Sequence, residues 1–542
     1  MSKSLDSKED FRTASPAYPV EDGTSHGDSV LLKPGFLYRA LPFGYSRSRL
    51  IARFGGGFAH KAAALTGGFS ICVSAYNLAS FGGVLGNPVL RNMLGLLDGS
   101  ADYLAAKEGG MVCLNPLGMI IGALLGGILS NSVGRTKSIS CGLLLSLFGA
   151  ALQTGSQNIT WFSIARVLNG MGVGIADATV PAWIGELSKT DVRSGAIAFE
   201  LMFAGIGVSI ATWLGYGFGF VDDYELAWRF PVGAQMAVTL CLFALIHFLP
   251  ESPRWLISAG KMDDAAHVLA FVHGEELAQA ELAEIVASCR EQKHEGAPNS
   301  YWSMFVGKQN VRRQIFITVL CQFTGTFFLA YGMILSYAST VFGFAGYDSE
   351  KVALIGGGNS ISYAFFFLVG VFFADKVGAR SLMVWGAAGA GVMMMIIGGL
   401  SKLVIKSESS SAGAGLVACV FIYAACHGSS FATCAWVLPS EIFNQATRSR
   451  GVAISIAVFS FGNALSTMLA PFLFNALNEN FFFLFGGLTL ASVPALYAFL
   501  PQTAGRSLED LTHLLSGPVL YWRAEKYYVE YLASKKGNVV VA

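Results

Sequence analysis

The sequence predicts an all-α integral membrane protein of twelve transmembrane helices, arranged as two six-helix bundles with a helical linker between them. Composition is the first reason. Of 542 residues, 53% are hydrophobic and 13% charged, whereas a soluble domain averages about 25% charged residues; mean hydropathy is +0.53. The second reason is length. A helix needs about 20 apolar residues to cross a hydrocarbon core of about 30 Å, and the chain offers twelve such runs. The third is that one long charged interval, 250–312, divides those runs six and six.

Residues 1–60 are polar, lack the short apolar core of a cleaved secretory signal, and read as a disordered tail. Spans 1 to 6 are expected at 62–85, 111–130, 138–155, 159–182, 196–219 and 230–249, forming a bundle over 61–249. In the interval 250–312, "MDDAAHVLAFVHGEELAQAELAEIVASCREQ" has the three-to-four-residue apolar spacing of amphipathic helices. Spans 7 to 12 are expected at 313–340, 352–374, 381–400, 414–438, 451–474 and 481–500, within a bundle over 313–500, and 501–542 form a second tail. Arg135, Lys137, Lys189, Arg193, Lys376, Arg380, Arg448 and Arg450 fall in short loops on one side of this layout. Six other basic residues are spread over longer loops opposite, so the bias places both tails and the linker in the cytoplasm, with the plasma membrane the expected home.

Several function classes are excluded. A net charge of +1 gives no basic footprint for nucleic acid. The nine cysteines lie almost entirely inside apolar runs without CxxC spacing, which argues against a disulfide framework or a zinc site. No catalytic triad, metal cluster or phosphate loop is visible, so no enzyme activity and no cofactor are expected. The expected partners are a small-molecule solute and the lipid bilayer, for a chain working as a monomer.

An internal repeat follows. "SNSVGRTKS" between spans 2 and 3 reappears as "ADKVGARSL" between spans 8 and 9, and "ELSKTDVRSG" after span 4 as "EIFNQATRSRG" after span 10. In the second pair Glu186 precedes Arg193 by seven residues, as Glu441 precedes Arg448. Two parallel six-helix halves explain such a repeat.

These phrases, with "PESPRWL" at 250–256, "ARVLNGMGVG", "WVLPSEIFNQATRSRG" and "LPQTAGRSLEDL", make the chain resemble the sugar porter family of the major facilitator superfamily over about residues 62–511, in a fungal style. The resemblance implies an alternating-access carrier of a sugar, polyol or similar small polar solute, with one central site between rocking halves. It also implies that Glu186, Arg193, Arg135, Asp375, Arg380, Glu441 and Arg448 form charge networks between bundle ends.

Buried ionisable residues are functional hypotheses because they are costly in lipid. Arg166 in span 4 lies about 10 Å below the outer face and Glu200 in span 5 about 10 Å above the inner one, while Asn77 in span 1, about 22 Å up, is level with Arg166. The family often has a proton-coupling acid at the Asn77 position, near Arg166. An amide cannot change charge, so Asn77 points to a facilitator; packing is its alternative role. Glu200 aligns with a sugar-binding Gln and reads as a substrate contact, with proton carrier and structural residue as alternatives, and Asp177 reads as a helix-end or network acid.

Elsewhere in the expected pocket, Trp436 matches a ring-stacking aromatic, and Gln322 keeps a motif position in span 7. The later "SYASTVF" stands about five residues beyond the family spacing, so the usual sugar-binding Asn becomes Phe327 or Gly332. Asn359 and Tyr363 in span 8 and Asn463 in span 11 complete the substrate candidates, while Phe459 and Ser460 replace an Asn-Trp pair. Each lost amide removes partners for a hydroxyl, so an ordinary hexose is not the expected solute. His427, without an acid partner, reads as a core histidine. A proton symporter using Glu200 and a non-transporting solute sensor are the alternatives to a facilitator.

Overall fold

The computed structural model describes residues 56–187, 193–294, 300–307, 309–407, 409–444, 447–503, 506 and 508–540. The N-terminal tail and Lys189 lie outside the described residues, as do the side chains of Arg193 and Asp375.

Spans 1 to 6 are Gly56–Val84, Ala101–Val133, Arg135–Thr154, Ile159–Leu187, Arg193–Phe218 and Tyr224–Ile246. Span 7 starts as Gln309–Phe323 and resumes as Tyr331–Ser336 after a break. Span 8 is Ser349–Val377, span 9 Ala379–Ser407, span 10 the pair Ser410–Ser429 and Phe431–Ile442, span 11 Arg448–Leu477 and span 12 Phe481–Phe499. Nine stretches among the described residues are long and apolar enough to cross a membrane, and one of them, Arg448–Phe499, holds spans 11 and 12. Span 3, whose first turn carries Arg135 and Lys137, and span 5, whose apolar stretch Met202–Phe218 is short, complete the twelve.

Polar caps set several helix starts. Ser100 accepts from the Tyr103 N–H, Asp223 from Glu225 and Leu226, and Asp348 from Lys351, satisfying first-turn N–H groups that have no partner inside the helix. The outer surface is apolar: Leu117, Ile121, Leu125 and Ile128 project from span 2 into the surroundings at helical spacing, as Phe365 and Phe372 do from span 8. Inside the bundle the packing depends on small residues. A Cβ on Gly122 would collide with the Met171 carbonyl, and one on Gly170 with that of Asn115, so spans 2 and 4 touch backbone to backbone.

The linker contributes helices Pro253–Ser258, Met262–His273, Glu275–His294 and Tyr301–Val306. Its opening segment belongs to the core of the first bundle: Trp255, Leu256 and Ile257 pack with Trp183, Leu187, Ile246 and Leu249. Helices Leu508–Ser516 and Tyr521–Val540 follow span 12. The first of these docks on span 7, where Arg313 donates to the carbonyls of Leu514, Leu515, Gly517 and Val519.

The two bundles meet through span 2 against span 11, span 5 against span 8, and span 1 against the resumed segment of span 7.

Candidate functional site

A mostly apolar cavity lies between the bundles, where small-molecule sites of helical bundles form. Its walls come from spans 1, 2, 4 and 5 of the first bundle and spans 7, 8, 10 and 11 of the second.

The break in span 7 builds much of it. Thr324–Phe328 form a π-turn, with the Leu329 N–H reaching the Thr324 carbonyl at 3.0 Å, and Ala330 adopts the left-handed conformation at φ 55°. A π-turn absorbs an added residue because its backbone bonds span one residue more, so it takes up part of the long spacing read in the sequence. The break sends Phe327 away from the cavity, into rings of Phe323, Phe328 and Phe485, and brings Tyr331 and Gly332 to its wall. Of the two alternatives for the missing Asn, Gly332 is the one at the cavity. A Cβ there would strike the Asn463 oxygen, so span 11 supplies an amide where span 7 lacks one.

Four sequence-predicted substrate residues line the cavity: Gln322, Tyr363, Trp436 and Asn463. Two of their amides are already engaged. Gln322 donates to the Ala435 carbonyl at 2.8 Å and the Ser455 hydroxyl at 2.7 Å, and Asn463 to the Phe459 carbonyl at 3.2 Å. Trp436 packs edge-on against Phe459 with centroids 5.1 Å apart. Tyr363 is stacked on Tyr331 at 4.1 Å, and Tyr331 on His427 at 4.7 Å.

Asn359 and Glu200 do not line the cavity, contrary to expectation. Asn359 stands one helical turn before Tyr363, which lines the wall stacked on Tyr331. Glu200 lies one helical turn from Ala204, where the span 5 wall ends; it is fully buried, and neither carboxylate oxygen has a hydrogen-bond donor among the described residues. Asp177 accepts from the Ser74 hydroxyl at 2.6 Å, and Ser74 does line the cavity. His427, read as a core residue, is instead in the cavity wall, with its Nε2 3.3 Å from the Gly325 carbonyl.

Asn77 and Arg166 are not brought together. The Asn77 amide donates to Gln235 in span 6. Gln235 also accepts from Asn169 at 3.4 Å, and Asn169 accepts from Asn115 at 3.0 Å, so an amide chain ties spans 1, 6, 4 and 2 within one bundle. Arg166 does line the cavity, with its Nη2 donating to the Val112 carbonyl at 3.2 Å and its guanidinium 4.3 Å over the Phe81 ring.

On the linker side, Arg135 and Glu186 form a two-pronged ion pair with both contacts at 2.9 Å, and Arg135 also donates to the Ser130 carbonyl at 2.8 Å. Glu251 of "PESPRWL", a residue the sequence reading left without a role, caps span 3. It accepts from the Arg135 N–H at 2.8 Å, the Thr136 hydroxyl at 2.7 Å and the Ser252 N–H at 2.9 Å. Gly134 makes room at φ 106°, since a Cβ there would lie 2.6 Å from the Glu251 carboxylate. In the second bundle Arg448 is 5% exposed, and it and Glu441 both interact with neighbours. Arg380 reaches span 12 and the helix that follows it: its guanidinium lies 3.7 Å over the Tyr521 ring and donates to the Tyr497 carbonyl at 2.7 Å.

Twelve helices in two halves around a central cavity define a transporter of the major facilitator type. The solved structure of the proton:xylose symporter XylE from E. coli, bound to 6-bromo-6-deoxy-D-glucose, has this fold: TM-score 0.73 at 22% identity, over 85% of this chain and 100% of that one. Residues 62–515 match the family described as sugar (and other) transporter, and the chain belongs to that family. Among its relatives are the MFS-type transporter oryC of Aspergillus oryzae, 27% identical over 82% of this chain and 83% of that protein, and the sugar transporter STL1 of Saccharomyces cerevisiae, 28% identical over 76% and 72%.

Proposed function

We propose that the chain carries a sugar, polyol or similarly sized organic solute by alternating access, down the solute's own gradient. It works as a monomer in the plasma membrane, with both tails and the linker cytoplasmic, in keeping with the Lys and Arg bias and with a cavity built from one chain. The named specificities of STL1 and XylE support a sugar-like solute. The observation that carries the facilitative reading is the Asn77 to Gln235 bond: the position that would hold a proton-coupling acid is an amide, engaged in packing. In liposomes, uptake under an imposed inward proton gradient should level off at the solute gradient; accumulation beyond it would overturn the facilitative reading.

A second reading has its own support. Glu200 has no donor to stabilise a charge among the described residues, and Asp177 touches the cavity through Ser74, so two buried acids stand ready to hold a proton. Glu200→Gln separates the two. A facilitator keeps its pH profile in this variant, whereas a symporter working through Glu200 loses proton-driven uptake.

A further inference from the structure

Arg166 is 3% exposed, and among the described residues no carboxylate lies within ion-pair distance of it. The acids of the first bundle are otherwise placed: Glu108 pairs with Arg91 at 3.6 Å, Asp177 accepts from the Ser74 hydroxyl, and Glu200 lies a turn beyond the cavity. The Val112 carbonyl and the Phe81 ring give the guanidinium dipolar partners, but neither neutralises its charge, and its Nε has no acceptor among the described residues. An uncompensated buried charge is among the costliest arrangements a bundle can keep. This one faces the space where a solute sits.

The rest of the wall narrows the chemistry. The second bundle lines the cavity with the aromatic side chains of Tyr363, His427, Trp436 and Phe459, with Tyr331 stacked between Tyr363 and His427. The amide donors of Gln322 and Asn463 are occupied by the protein itself. A neutral polyol can donate to the hydroxyl and amide oxygens of the wall, but finds neither amide nitrogen free to donate to it. A carboxylate meets a planar fork that matches it bidentately, and a ring meets stacking surfaces.

We infer that the cavity takes a ring-bearing organic monoanion, with its carboxylate on Arg166 and its ring against the Tyr363 and Trp436 wall. The inference rests on the reading of this cavity as the transport site and names the solute class for it.

Calorimetry on the full chain in nanodiscs tests it with two isosteric pairs, cyclohexanecarboxylate with cyclohexanecarboxamide and benzoate with benzamide. The expected result is a preference for each carboxylate of about tenfold or more, as a charge-assisted bond supplies. In Arg166→Gln the preference should fall to about twofold or less. Equal affinities in the unaltered protein, or binding of neither member, overturn the anion site without any variant. Counterflow in liposomes, with labelled benzoate and labelled glucose, separates this from the transport reading. A carboxylate preference without counterflow of either solute supports the anion site and overturns transport. Glucose counterflow without a carboxylate preference overturns the anion site and leaves transport standing.

Discussion

Glu251 is 2% exposed and accepts from two backbone N–H groups at the start of span 3, where the helix dipole favours negative charge. Burial raises its carboxyl above the ordinary value of 4.5, while the bonds from Thr136, Ser252 and Arg135 oppose the rise. An acid whose folded value is raised holds its proton more tightly when folded. Its contribution to stability is therefore complete below the unfolded value and is lost as pH rises through the folded one. Glu251→Gln keeps an acceptor for the cap and removes the titration, so thermal stability in detergent, followed upward from pH 4, should decline less steeply. Glu251→Ala orphans the N–H groups and should cost about 2–3 kcal/mol at any pH; a melting temperature unchanged in the alanine variant would remove the cap from this account. Asn77 illustrates the limit of reading single residues. Its depth in the membrane was legible by counting residues, but the partner on span 6 was not, because helix periodicity does not say which neighbour an amide meets.

At the level of elements, the spans were legible because bilayer thickness fixes their length, and the paired halves because their loop phrases repeat. Span 7 was only half legible. Its extra residues showed as a mismatch in spacing, yet no pattern of residues announces a π-turn, and the break decides which rings reach the cavity. Tyr331 was missed for that reason, and His427 in span 10 because a histidine without an acid partner reads as packing. The break hinges on Ala330, fully buried at φ 55°, a conformation that costs an L-residue about 1–2 kcal/mol. Tyr423 holds it from span 10 by donating to the Leu329 carbonyl. Ala330→Gly should therefore leave stability within about 1 kcal/mol of the parent, since relief of strain offsets lost chain stiffness. Ala330→Val places a branched Cβ in the same conformation inside a packed core and should cost more than about 2 kcal/mol. Similar melting temperatures for the two variants would mean that the left-handed turn is not kept in the membrane.

For the whole molecule, the two bundles touch near both ends of span 2, and the contact at each end depends on a glycine. On the linker side Gly127 faces Ala453 and the Tyr301 hydroxyl, which donates to the Leu124 carbonyl at 2.9 Å; a Cβ there would sit 2.8 Å from that of Ala453. On the far side Gly109 faces the Met468 backbone, and a Cβ would strike its carbonyl. Both pairs join span 2 to span 11, so this helix pair contributes to the contact at each end, and the proposed rocking must open either end while it keeps the other shut. Packed interfaces of this kind have discrete arrangements and do not deform continuously. A bulky side chain at one glycine should therefore bias the equilibrium without abolishing the fold. Gly127→Leu should open the linker side, raising deuterium uptake over 120–130 and 449–457 while protecting 105–113 and 464–470. Gly109→Leu should produce the mirror pattern. Because transport needs both ends to open in turn, each variant should lose solute flux by on the order of tenfold, equivalent to about 1.4 kcal/mol of bias toward one state. If both variants raised exchange at both ends, the wedge would be acting as a general loss of packing, and the two ends would not be coupled through spans 2 and 11.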